Sequence, residues 1–145
     1  MVEIMVAVSI ITVSILAAMA VTEKSILVSR QALHASEASF LLEEGAEVVR
    51  ILRDNSWSNI SSLSTGTLYY PVFSSSWSLS STSSSVGNFV RTVSVANVNR
   101  DASSDISSSG TDDPLTKLIN INVSWEEGGQ TVNKTLSFYI MDIFS

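Results

Sequence analysis

Residues 1–21, MVEIMVAVSIITVSILAAMAV, decide how the rest of the chain is read. From Ile4 to Val21 no residue carries a charge. As a helix rising ~1.5 Å per residue, that run spans roughly 27 Å, close to the hydrocarbon thickness of a bilayer. Glu3 stands at its start, where a spanning segment meets lipid, and a carboxylate there needs either the interface or a partner. Three readings stay open: a cleaved secretory signal, a plain single-span anchor with Glu3 among the headgroups, and a helix that leaves the membrane to pack on copies of itself. A signal requires a basic segment ahead of the apolar run and a small-residue cleavage site. No Lys or Arg precedes the run, and only Ala17-Ala18-Met19-Ala20 offers a loose cleavage site. Ser9, Thr12, Ser14 and Ala7, Ala17, Ala18 and Ala20 keep parts of the surface small, which lets helices approach closely.

Residues 22–55 read as the same helix continued, now amphipathic and packing on a head. Ile26, Leu27, Leu33, Phe40, Leu41, Ala46, Val48, Val49, Ile51 and Leu52 recur at three- and four-residue spacings, with charges between them. Glu47 and Arg50 form an i,i+3 pair of favourable sign. The first proline is Pro71, so a single helix of roughly fifty residues, about 80 Å long, is expected. Gly45 costs ~1 kcal/mol relative to Ala in such a helix, a cost that close approach of a sheet would explain. Asp54-Asn55-Ser56 ends it.

Residues 56–88 are dominated by Ser and Thr, punctuated by Trp57, Tyr69, Tyr70, Phe73 and Trp77. They read as a polar surface loop with one or two short strands, near 67–73 and 77–79. From Asn88 the period becomes two. Phe89, Arg91, Val93 and Val95 share one face, then Lys117, Ile119, Ile121, Val123 and Trp125, then Val132, Lys134, Leu136, Phe138 and Ile140. Glu126-Glu127-Gly128-Gly129-Gln130 joins the last two strands as a hairpin turn. Residues 89–145 are therefore expected to form an antiparallel sheet, and the fold class is α+β: a long N-terminal helix packed on an antiparallel β-sheet head.

Across 145 residues the formal charge is −6, which argues against nucleic-acid binding through a basic surface. With no cysteine the head cannot be stapled by disulfides, and with one histidine a transition-metal site has few ligands. His34 reads as a surface histidine with no nucleophile beside it. No Gly-x-Ser-x-Gly and no phosphate loop occurs, so no enzyme is expected. Asp101, Asp105, Asp112 and Asp113 gather oxygens of the kind calcium takes, but not at EF-hand spacing. The plainer expectation is a solvated acidic turn, Asp112 or Asp113 capping before Pro114. Asn59-Ile60-Ser61, Asn122-Val123-Ser124 and Asn133-Lys134-Thr135 match the glycan-acceptor pattern, which Ser-rich chains reach by chance.

Val2-Glu3-Ile4-Met5-Val6-Ala7 and the apolar run behind it resemble the N-terminal segment of type IV pilins and of type II secretion pseudopilins. That family begins Phe-Thr-Leu-Val/Ile-Glu after leader cleavage, and Glu3 takes the glutamate's place. The resemblance implies the pilin fold and a filament of identical or related subunits. It also implies storage in the inner membrane and a dedicated pilus or secretion assembly machine. Glu3, flanked by Val2 and Ile4, would pair with a neighbour's free amino terminus; residues 56–88 would be the surface loop between helix and sheet. The family's leader, glycine and Phe-Thr pair do not precede Val2, and Met1 stands where Leu would. A start placed late would account for that, with about five to twenty upstream residues including a basic leader. The rival from another class is a membrane-tethered extracellular binding module that never polymerises.

Overall fold

In the computed structural model residues 1–143 are described. Helix α1 runs Val2–Asn55, ending where Asp54-Asn55-Ser56 was expected to stop it. The chain forms two compact units, Met1–Glu37 and the remainder from Ala38 on. The second unit has the α+β arrangement. After α1 come the short helix α2 (Ser58–Ser61) and a hairpin of β1 (Tyr70–Phe73) and β2 (Trp77–Ser80). Then follow β3 (Ser85–Val86), β4 (Phe89–Arg100), β5 (Ile106–Ser107), β6 (Thr111–Glu127) and β7 (Gln130–Met141). These five make one antiparallel sheet in the order β3-β4-β6-β7, with β5 pairing β4. The expected sheet region ran to residue 145; residues 144 and 145 lie outside the described ones.

The core lies between one stripe of α1 and one face of the sheet. Ala38, Leu42, Gly45, Ala46, Val49 and Leu52 are buried, the i, i+4, i+7, i+8 spacing of a helix face. Opposite them, Phe89, Arg91, Val93 and Val95 on β4 and Ile119, Ile121, Val123 and Trp125 on β6 are buried, as their alternation requires. Gly45 sits at the closest approach: a Cβ there would lie 3.0 Å from Ile121 Cγ2 and 3.3 Å from Arg91 Cδ. The glycine therefore trades helix propensity for contact with the sheet.

Several expectations need correction. The buried residues of α1 begin at Ala38; Ile26, Leu27 and Leu33 are exposed, and so are Phe40 and Ile51. The Ser-rich segment holds one helical turn and three short strands rather than one or two strands. The hairpin turn is only Gly128-Gly129, at φ 59° and 78°, while Glu126, Glu127 and Gln130 belong to the strands. The acidic loop is partly sheet: Ile106 and Ser107 form β5, and Asp112, Asp113 and Pro114 lie in β6. Pro114 falls where the β4–β6 register shifts between Asn97 and Asn99, so its missing N–H interrupts no regular ladder.

The buried face is not wholly apolar. Arg91, only 3% exposed, ion-pairs through Nη1 with Glu44 and donates from it to the Leu41 carbonyl at 3.2 Å. Its guanidinium carbon lies 5.8 Å from the Trp77 ring centroid. Lys117, also buried, donates to Asn97 Oδ1 at 2.7 Å. Arg91 thereby ties the sheet to α1, while the Lys117 bond joins two paired strands within the sheet.

Two stability tests follow, each read by tryptophan fluorescence of the full chain in detergent during denaturant unfolding. Gly45→Val is expected to destabilise by about 1–3 kcal/mol, the usual cost of overpacking. Glu44→Ala should cost more than Arg91→Met, although Glu44 is the more exposed partner. The first strands a buried guanidinium, whereas the second leaves a carboxylate that can reach water. Equal costs for the two changes would contradict the pairing.

Candidate functional site: the exposed apolar helix

Every residue from 1 to 33 is exposed, and α1 holds a stretch long and apolar enough to cross a membrane. Exposed surface includes Ile4, Met5, Ile10, Ile11, Ile15 and Leu16. Soluble monomers rarely leave contiguous apolar patches of more than a few hundred Å² in water. The four hydroxyls from Ser9 to Thr22 do not offset this, because each bonds back into the helix. Ser9 donates to Met5 O at 2.8 Å, Thr12 to Val8 O at 2.8 Å, Ser14 to Ile10 O at 2.8 Å and Thr22 to Ala18 O at 2.9 Å. With these four hydroxyl protons placed in this way, the uncharged run from Ile4 to Thr22 asks nothing of its surroundings but apolar contact.

Glu3 lies in the first turn of α1, where the positive end of the helix dipole favours an anion. Val2 and Ile4 flank it, and both are exposed. Among the described residues, Glu3 has no hydrogen-bond or ion-pair partner. Exposed apolar side chains also continue past the bilayer-length run, at Ile26, Leu27, Val28 and Leu33 and again at Phe40. His34 is half-buried and engaged rather than an open surface group.

The four aspartates weighed as calcium ligands are not brought together into a metal-holding group. Asp101 closes its own turn, its Oδ1 accepting from Ser103 N at 2.8 Å and Asp105 N at 3.1 Å. Asp113 belongs to a different arrangement. Its Oδ2 receives Arg100 Nε at 2.6 Å and Thr116 Oγ1 at 2.7 Å, and its Oδ1 receives Leu115 N at 3.0 Å. Arg100 Nη1 also donates to Ser104 O at 2.8 Å, which pins the 101–105 turn to the base of β6. Among the described residues no three of His, Cys, Asp and Glu are placed to hold a metal ion. This network was missed in the sequence; its only trace was an Arg and an Asp bracketing a Ser- and Asp-rich loop. Of the glycan-acceptor asparagines, Asn59 is tied by Nδ2 to Leu52 O at 3.0 Å and Asn122 to Thr135 Oγ1 at 3.0 Å, while Asn133 is exposed on β7.

No protein-family model matches this sequence, and no match is found among curated proteins or solved structures.

The hydrogen bonds from Arg100 and Thr116 hold the Asp113 carboxyl below its ordinary value of 3.8, against a smaller upward push from burial. A carboxyl with a depressed folded pKa stabilises fully above its unfolded pKa, and that contribution is lost as pH falls through the folded value. Wild-type protein should thus lose part of its stability below about pH 4. Asp113→Asn should be less stable at neutral pH and lose less over the same acid range. Parallel stability curves for the two proteins would refute the assignment.

Proposed function

We propose that the chain is a structural subunit of a type IV pilus or a related pseudopilus, assembling through its N-terminal helix. One observation carries the reading: apolar exposure on α1 outruns a bilayer. A plain anchor has no need of Ile26, Leu27, Val28 and Leu33 beyond the lipid span, whereas a bundle of such helices covers them. The resemblance of Val2-Glu3-Ile4 and the following run to pilins supports the same conclusion.

In this reading the subunit waits in the inner membrane with its head outside the cytoplasm. An assembly machine then draws it into an extracellular filament. The transfer costs little hydrophobic energy, because a core of packed helices is as dry as lipid. Glu3 sets register. A carboxylate left alone in such a core costs several kcal/mol, so the lattice that brings a neighbour's amino terminus to it is strongly preferred.

Glu3→Ala is expected to abolish fibres in electron micrographs of cells while the membrane pool of subunit persists. Glu3→Ala cells with fibres as abundant as wild type would remove Glu3 from assembly and leave the membrane-tethered module standing.

A further inference from the structure

The sheet face turned away from α1 has a composition that filament assembly does not explain. Its three long strands are in register, so outward side chains form rows across β4, β6 and β7. One row is Ser94, Asn120 and Ser137; the next is Thr92, Asn122 and Thr135. Within the rows the side chains hold each other. Ser137 Oγ bonds Asn120 Oδ1 at 2.6 Å, and Asn122 Nδ2 donates to Thr135 Oγ1 at 3.0 Å. The first contact leaves the Asn120 amide N–H pair pointing away from its partner, and the second leaves the Asn122 carbonyl oxygen. The face therefore offers an amide donor pair in one row and an amide acceptor in the next, and the Ser and Thr hydroxyls of both rows add donors and acceptors.

Away from the β6–β7 turn, where Glu126 ends the face and accepts a hydrogen bond from Thr131, charge is missing from it. The alternate, outward positions of 90–96, 118–124 and 133–139 carry no Asp, Glu, Lys, Arg or His. An ordinary solvated surface is about a quarter to a third charged, and this chain has a net charge of −6 to distribute. Arg91, Lys117 and Lys134 on these strands all take inward positions. At one end of the rows Tyr139, 51% exposed, stands beside Leu118. Both line a cleft of about 350 Å³ with Asn97, Asn99, Ser107 and Ser108.

We propose that this face and its cleft bind a neutral saccharide chain. Sugar hydroxyls donate and accept at once, so alternating fixed amide donors and acceptors complement them, and a neutral face pays no charge-desolvation penalty against a neutral ligand. The Tyr139 ring provides the apolar surface that the C–H side of a pyranose requires, with its hydroxyl at the rim. A protein partner fits less well, because the rows lack the aromatic and Arg anchors that concentrate binding energy in protein interfaces. An acidic polymer would find no cation there. Strand-borne groups are also pre-positioned, so little ordering entropy is lost on binding. The proposal does not depend on polymerisation.

The test is retention of the full chain, in detergent, on insoluble cellulose, chitin and starch, with alginate as the acidic control. Retention on at least one neutral polymer and not on alginate is expected. Tyr139→Ala and Asn120→Asp should each reduce it at least tenfold with unfolding midpoints unchanged, and Tyr139→Phe should keep most of it. Failure to bind any neutral polymer overturns the proposal. So does equal retention by wild type and both disruptive variants, or a change in those variants of oligomeric state alone.

Discussion

An apolar helix surface that has placed all its own hydrogen bonds cannot remain in water, and the rest of the molecule accommodates that fact. Each Å² of apolar area removed from water stabilises by roughly 25 cal/mol, so a helix exposed over residues 1–33 is driven strongly to any dry neighbour. That drive is indifferent between lipid tails and other helices, because both are apolar. Selectivity between them has to come from the few groups that are not. Ser9, Thr12, Ser14 and Thr22 cannot supply it, since each is bonded to its own helix. In the proposed filament Glu3 supplies it, because it alone within the first turn carries a charge that lipid leaves unanswered.

The unit from Ala38 onward is held together on different terms. It has no disulfide to restrain it, since the chain lacks cysteine. Its order comes from close packing at Gly45 and from charged groups that tie layers together. Arg91 joins β4 to α1 through Glu44 and Leu41, and Lys134 reaches Ser39 of α1 at 3.1 Å. Arg50 adds its cation over the Phe138 ring at 5.9 Å. Such contacts add little to stability where they are exposed, but they penalise any sliding of helix over sheet. A head fixed in this way presents the same outer face whatever surrounds the apolar helix.

How much of this could be read in the sequence differs by element. The β4, β6 and β7 faces were legible because period-two alternation is a local signal and the buried residues follow it, from Phe89 to Val95 and from Ile119 to Trp125. The end of α1 and the reason for Gly45 were legible for the same reason: a breaker cluster and a lone glycine in a strong helical pattern. Which apolar residues of 22–55 pack was not legible. Leu33, Phe40 and Ile51 have the same residue character as Leu42 and Val49, and only the sheet's position distinguishes them. Nor was the role of Asp113 visible. Its partner Arg100 lies thirteen residues away across a turn, and a carboxylate with an Arg partner looks in sequence like one with none. At the apolar helix, residue type pointed to Glu3, but its lack of a partner is a property of the folded chain.

The Ser-rich segment shows why composition misleads about order. Its serines are mostly exposed, yet the segment is fastened at intervals by the residues between them. Ile60 is fully buried, and Asn59 ties α2 to the end of α1. Tyr69 exchanges backbone bonds with Val93 at 2.7 and 2.8 Å, and its hydroxyl accepts from Ser64 N at 3.0 Å. Trp77 meets Phe73 edge-on at 5.2 Å and lies beside the Arg91 guanidinium. A few anchors of this kind fix the path of the backbone, because ordering entropy is lost once per residue however polar the side chain. The serines between them then contribute solubility rather than structure. A surface built so can change its serines freely while Ile60, Tyr69 and Trp77 stay, which separates what the segment shows to the outside from what holds it in place.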